Sequence, residues 1–271
     1  MKCVITSGCS FTTGIELADY YEDKANGCES SNLIWSYHIK DTLWPDAKFV
    51  NVARSGASNA CISRRVSHAV FDALKKYDPE DIVVLVMWTG IDRREWRLGT
   101  RNEIKEHTEF KYFNSLSSDG ELMLKLTTPF FKDFPNPSWE DMRRKILKEE
   151  NLGNIMKEYY SSHVTWTNSV YATLREIEYS SLYLKNKGVK YYYTTGESNW
   201  DTALEKSQGK DQYVDRLIEE NDVVKNIYRK DGLAFYDYAR QLNLPFCEYG
   251  HPGAEAHKVW SQLMTEWISN D

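Results

Sequence analysis

Seven consecutive residues, Ile82–Trp88, are apolar: Ile-Val-Val-Leu-Val-Met-Trp. A strand with one wet face alternates polar and apolar side chains. An unbroken apolar run of this length, rich in β-branched residues, describes a strand covered on both faces. Such strands belong to parallel sheets, because each parallel connection must cross over one face and cover it. Asp78-Pro79 before the run and Thr89-Gly90 after it are turn signals that set its ends.

The rest of the chain repeats strand and helix around that run. Residues 2–6 read as a short buried strand ending in Ser-Gly. Residues 32–43 read as a helix, with Leu33, Trp35, Ile39 and Leu43 at helical spacing and Pro45 ending it. A strand is predicted over 48–53, closed by Ser55-Gly56. A helix follows over 59–77, with Ile62, Val66, Ala69, Ala73 and Tyr77 on one face and Ser58 as N-cap. Further on, the pattern predicts a helix over 160–187 capped by Gly188, a strand over 189–195, a helix over 212–227 and a short fifth strand over 233–236. The last helix, after Pro252-Gly253, carries Ala256, Val259, Trp260, Leu263 and Trp267 on one face. This order predicts a three-layer α/β/α, flavodoxin-like fold around a five-stranded parallel sheet. Its length, 271 residues, suits one domain over 1–271.

Residues 92–160 break the rhythm. They show weak alternation, the turn clusters Ser117-Ser118-Asp119-Gly120 and Pro135-Asn136-Pro137, and a charged helical stretch over 139–149. This reads as an insertion after the third strand, of the kind that forms lids or binding elements.

Composition narrows the partners. Net charge is −6, and acidic residues interrupt the runs Arg93-Arg94 and Arg143-Arg144-Lys145, so no basic patch for nucleic acid is expected. Five cysteines, an odd number with no C-x-x-C, argue against a disulfide framework and a zinc site and for a reducing compartment. No His/Asp/Glu cluster has metal-ligand spacing, and neither a G-x-G-x-x-G nor a Walker lysine follows the first strand, so no metal and no cofactor is expected. Neither a signal peptide nor a membrane-length apolar stretch is visible, which predicts a cytoplasmic protein that does not enter the membrane. The chain also holds 18 Tyr and 9 Trp. These are core material first and a sugar- or peptide-binding surface second.

In open parallel sheets, sites lie outside the carboxyl ends of the strands. Four segments stand there: Ser7-Gly8-Cys9-Ser10-Phe11-Thr12, Ala53-Arg54-Ser55-Gly56-Ala57-Ser58-Asn59, Trp88 to Glu95, and Cys247 to Gly253. They hold the parts of acyl transfer: a nucleophile, a base, an acid to orient the base, and donors for an oxyanion. Ser10 follows a glycine at a strand-to-loop turn. His251 precedes the last helix, and Glu248, three residues earlier, can turn back to it. The amides of Ser10 and Gly56 are candidate oxyanion donors, and Asn59, Trp88, Arg93 and Arg94 are candidate substrate contacts.

Gly8-Cys9-Ser10-Phe11, Asn51-Val52-Ala53-Arg54-Ser55-Gly56-Ala57-Ser58-Asn59 and Glu248-x-x-His251-Pro252 together resemble three sequence blocks of the SGNH (GDSL-like) hydrolases, in the family's order. The resemblance implies Ser10 as nucleophile, the Gly56 amide in the oxyanion hole, and His251 as base. Two departures stand out. The family's third block is Gly-x-Asn-Asp, whose asparagine donates to the oxyanion. Here the segment is Gly90-Ile91-Asp92-Arg93, and an ionised Asp92 cannot donate. Glu248 also stands where the family has aspartate. These departures resemble divergent family members from phage genomes.

Each of these residues has a plainer use. Ser10 can cap a turn, His251 can be a loop histidine, and Arg93, Arg94 and Glu95 can form an ion-paired corner. His257 on the last helix reads as structural, and Cys9 as a small buried residue. The function expected first is a serine esterase or deacetylase with a Ser10-His251-Glu248 triad, acting on a small ester or an acetylated glycan. The second is a catalytically weak or inactive protein of the same fold that binds a carbohydrate or protein partner. A flavodoxin-like nucleotide binder comes third.

Overall fold

The structure, a computed structural model, describes residues 1–23, 28–91, 93–100, 121–126, 166–197, 204, 209–220 and 225–271. Its centre is a parallel sheet of β1 (Cys3–Ser7), β4 (Lys48–Asn51), β5 (Ile82–Trp88) and β8 (Lys190–Thr195), in the order β4-β1-β5-β8. All three pairings are parallel, with Ile5 opposite Val50 and Val84, and Leu85 opposite Tyr192. The order doubles back at β1, between β4 and β5. That is the switch point where such sheets open a crevice.

β5 is buried at every position, as its sequence requires, and its side chains divide by parity. Ile82, Val84, Val86 and Trp88 join Ile62, Val66 and Val70 of α3 (Asn59–Ala73) and Val170, Leu174 and Ile177 of α4 (Trp166–Asn186). Val83, Leu85 and Met87 join Trp35 and Ile39 of α2 (Trp35–Leu43) and Trp260 and Met264 of α7 (Ala254–Ser269) on the other face. Two apolar layers therefore share one strand. Each fully buried Val, Ile, Leu or Met side chain contributes roughly 1.5–3 kcal/mol. Among the described residues the layers also hold α5 (Gln212–Glu220) and α6 (Phe235–Gln241).

Several expectations hold and others shift. Ser58 caps α3, its Oγ accepting from the Cys61 N–H at 3.2 Å. α2 starts at Trp35 rather than at residue 32. Asp19 accepts from the Asn32 N–H at 2.7 Å, and Ser31 Oγ accepts from the Leu33 N–H at 3.0 Å, which winds the chain into a turn ahead of the helix.

The sheet has four strands among the described residues, not five. Where the fifth was expected, Asp231 and Gly232 take positive φ in a tight turn, Lys230 and Leu233 bond to each other, and Phe235 opens α6. The edge of β8 is met instead by Tyr228, through a single parallel bridge to Thr194.

Two antiparallel hairpins were not anticipated: β2 (Tyr21–Asp23) with β3 (Cys28–Ser30), and β6 (Arg94–Thr100) with β7 (Glu121–Leu126). The second lies within the expected insertion. The charged stretch over 139–149 lies outside the described residues. No described helix is long and apolar enough to cross a membrane.

Candidate active site

β1 delivers the chain to the switch point at Ser7. Gly8 follows because nothing larger fits: a Cβ there would stand 2.2 Å from Thr12 Oγ1 and 3.0 Å from the Met87 carbonyl oxygen. The chain then winds one helical turn, α1 (Ser10–Thr13), whose first residue is Ser10. The Cys9 carbonyl accepts from the N–H groups of Thr12 and Thr13 at 2.9 and 3.0 Å, and Gly14 closes the turn in the left-handed region. Ser10 is thus fixed by backbone bonds on both sides, with 8% of its surface exposed. Cys9 is fully buried, as expected.

The turn after β4 is stitched to this one. The Val52 N–H donates to the Thr6 carbonyl at 2.8 Å and the Arg54 N–H to the Gly8 carbonyl at 3.1 Å. The Asn51 amide donates to the Thr12 carbonyl at 2.9 Å, and the hydroxyls of Thr13 and Ser55 bond at 3.1 Å. Gly56 lies in this turn at φ 72°, a conformation that suits glycine. Among the described residues, neither the Ser10 N–H nor the Gly56 N–H is given to a protein acceptor.

His251 arrives on the loop between α6 and α7. Phe246 and Pro252 form an antiparallel bridge, and the Cys247 N–H donates to the His251 carbonyl at 2.8 Å. The Gly253 N–H donates to the Pro245 carbonyl at 2.9 Å, and a Cβ on Gly253 would meet that same oxygen. The imidazole packs edge-on to the Phe11 ring, 5.7 Å between centroids at 83°. The residue after the candidate nucleophile therefore touches the candidate base. No hydrogen bond joins the Ser10 hydroxyl directly to His251.

The carboxylate bonded to His251 is not the expected one. His251 Nδ1 is paired with Glu16 Oε2, and the other oxygen of Glu16 accepts from the Tyr249 N–H at 2.8 Å. Glu248 is exposed. The reason is local: the Gly250 N–H bonds back to the Cys247 carbonyl with Gly250 at φ 86°, and Glu16 holds the Tyr249 N–H, so the loop turns its inner side to Glu16 and leaves Glu248 outside. Glu16 sits at φ 74°, a left-handed conformation that costs a residue with a side chain about 1–3 kcal/mol. Its charge, together with burial, pushes the Cys247 thiol pKa up, burial being the larger cause. No local pattern could have linked Glu16 to a histidine 235 residues away. The only sign in sequence was an acidic residue between Gly14 and the buried Leu17.

Two expected substrate contacts are structural instead. Asn59 is buried and its amide is fully used: it donates to the Thr89 carbonyl and to Thr173 Oγ1, each at 3.2 Å, and accepts from the Thr89 N–H at 2.9 Å. It clamps the start of α3 to the end of β5. Trp88 is wholly buried against the edge of Tyr193. Core packing claims both, because they belong to the inner layers that the sheet covers. Arg93 donates to Glu197 at 2.6 Å, an ion pair whose acid lies outside the Arg93-Arg94-Glu95 corner read from the sequence. Arg94 heads β6, with its side chain outside the described residues, and Asp92 lies outside them altogether.

His257 is structural, as its position suggested. It is fully buried, its Nδ1 accepts from the Trp35 N–H at 3.3 Å, and its ring packs on Phe235. Burial, with lesser repulsion from His38 and His251, lowers its pKa to about 3, so it stays neutral.

No family model matches the chain, and no curated protein matches it in sequence. Among solved structures it is similar to a lipolytic protein of the G-D-S-L family from Veillonella parvula (12% identity, TM-score 0.45, 99% of each chain covered). It is also similar to a lipase from a goat rumen metagenome (11% identity, TM-score 0.44, 98% of this chain and 97% of that one). A third is an acetylxylan esterase from Geobacillus stearothermophilus, a catalytic mutant (14% identity, TM-score 0.42, 98% and 94%). Over nearly its whole length, this parallel α/β chain is similar to a lipolytic protein of the G-D-S-L family and to an acetylxylan esterase.

Proposed function

We propose that the protein is a serine hydrolase of the SGNH type that cleaves small esters or acetyl groups by acyl transfer. The observation that carries this reading is the meeting of two segments far apart in sequence. The turn bearing Ser10 and the loop bearing His251 touch through Phe11 and Glu16 at the carboxyl end of β1. Two backbone N–H groups that have no acceptor among the described residues, those of Ser10 and Gly56, belong to the stitched turns beside them.

In the proposed reaction, His251 Nε2 takes the Ser10 hydroxyl proton as the oxygen attacks the ester carbonyl. The Ser10 and Gly56 N–H groups receive the oxyanion. The tetrahedral intermediate collapses, the C–O bond to the alcohol breaks, and His251 returns the proton to the leaving oxygen. Water, activated by the same imidazole, then releases the acyl group and restores the serine.

Hydrolysis of p-nitrophenyl acetate by the wild type, Ser10→Ala and His251→Ala tests it. Each variant is expected to lose at least about three orders of magnitude in kcat with an unchanged melting temperature. Turnover retained in Ser10→Ala overturns the proposal and directs the search to carbohydrate and protein ligands.

A further inference from the structure

We infer that Glu16 is the positioning carboxylate of this site, holding His251 in the tautomer and orientation that its role as base requires. The inference rests on the serine hydrolase reading and assigns a residue that the local sequence around His251 does not indicate. A carboxylate only accepts hydrogen bonds, so the Glu16–His251 pair places the imidazole proton on Nδ1 and leaves Nε2 free to accept from a hydroxyl.

Three further observations point the same way. Glu16 is largely enclosed, with 12% of its side chain exposed, and a buried carboxylate is tolerated when both oxygens are engaged. Both are, by His251 and by the Tyr249 N–H, so Glu16 fixes the ring and the backbone of the loop that carries it. Its backbone occupies the left-handed region, which persists in a residue with a side chain only when its surroundings demand it.

The surroundings are firm. The Ile15 N–H donates to Thr13 Oγ1 at 3.3 Å and the Leu17 N–H to the Gly14 carbonyl at 3.0 Å. The short stretch from Ser10 to Glu16 thus carries the nucleophile at one end and the carboxylate at the other, and His251 is held to it from a distant part of the chain. Phe11, packed on the imidazole edge, limits the ring from a second side.

The test compares wild type, Glu16→Gln, Glu16→Asp and Glu248→Gln in the full-length protein. Glutamine keeps the shape and can still accept from the Tyr249 N–H, but its amide donates toward Nδ1 and drives the proton to Nε2. Glu16→Gln is expected to lower kcat on p-nitrophenyl acetate about 10³- to 10⁴-fold with KM within about threefold. Glu16→Asp should recover part of the loss, and Glu248→Gln should stay within about twofold of wild type.

Nitrogen-15 NMR of the His251 ring gives a readout that needs no activity. The wild type should show the Nδ1–H tautomer and Glu16→Gln the Nε2–H tautomer. Unchanged kcat in Glu16→Gln, or the same ring tautomer in both proteins, overturns the assignment. A wild type without serine-dependent turnover removes the hydrolase reading, and the tautomer comparison still decides what Glu16 does to His251.

Discussion

The two loops that meet at the candidate site are built on different principles. The turn after β1 is interior. Ser7 to Thr13 are all buried, the Cys9 and Ser10 carbonyls accept from the turn's own amides, and the neighbouring β4 turn is laced to it. The loop before α7 is peripheral: Glu248, Tyr249 and Gly250 are exposed, and a carboxylate from the other loop holds its histidine. The nucleophile is positioned by the core, and the base by one hydrogen bond to a carboxylate and one ring contact. Perturbing the backbone packing of the first loop should therefore cost stability along with activity, whereas perturbing the second should cost mainly alignment.

Acid provides the largest test of the division. His257 anchors α7, directly after the peripheral loop, and its pKa is lowered to about 3 against an ordinary 6.5. The unfolded chain takes up a proton near pH 6.5 while the folded one does not. Stability is therefore complete above that pH and falls steadily as pH drops toward 3. At about 1.4 kcal/mol per unit, the loss between pH 7 and pH 4.5 is about 3 kcal/mol. Urea unfolding of His257→Gln should show a smaller loss over the same interval. An equal loss in both proteins would locate the acid sensitivity elsewhere.

Gly8→Ala attacks the interior loop. Its methyl group would need Thr12 or the β5 backbone to move, at about 1–3 kcal/mol and with a matching fall in melting temperature. Gly250→Ala is its counterpart in the peripheral loop. Nothing lies within 4 Å of the new methyl group, so only the φ of 86° opposes it, at roughly 1 kcal/mol. Equal effects at the two glycines would contradict the contrast.

Asn59→Ala sharpens it on a finer scale. Removing the clamp breaks the bonds that the Asn59 amide makes to the Thr89 backbone in the interior, at about 1–3 kcal/mol, while KM for a small ester stays within about twofold. A large rise in KM with unchanged stability would restore Asn59 as a substrate contact.

Much of the fold is legible because the physics is local or periodic. Apolar parity within Ile82–Trp88 describes two faces at once, and Ser58 before an amphipathic stretch is a cap wherever it stands. The fifth strand fails for the complementary reason. Residues 233–236 have the composition of a strand, but the turn at Asp231-Gly232 spends their backbone locally and Phe235 finds its partners as part of a helix. Asn59 and Trp88 fail because standing at a strand end does not say whether a side chain faces the crevice or the layer beneath it.

By itself, then, the sequence determined the parallel α/β class, the placing of Ser10 and Gly56 just past strand ends, the place of His251 on the loop before the last helix, and the structural character of His257. Tertiary structure alone decided which carboxylate meets His251. Glu248 was the nearest acid along the chain, yet the hydrogen bonds of a turning loop expose it, while Glu16 is brought in from the first loop by the sheet that lies between them in sequence. Proximity along a chain constrains backbone geometry over a few residues. A hydrogen bond between distant residues depends on where the whole fold places their backbones, and no local pattern carries that information.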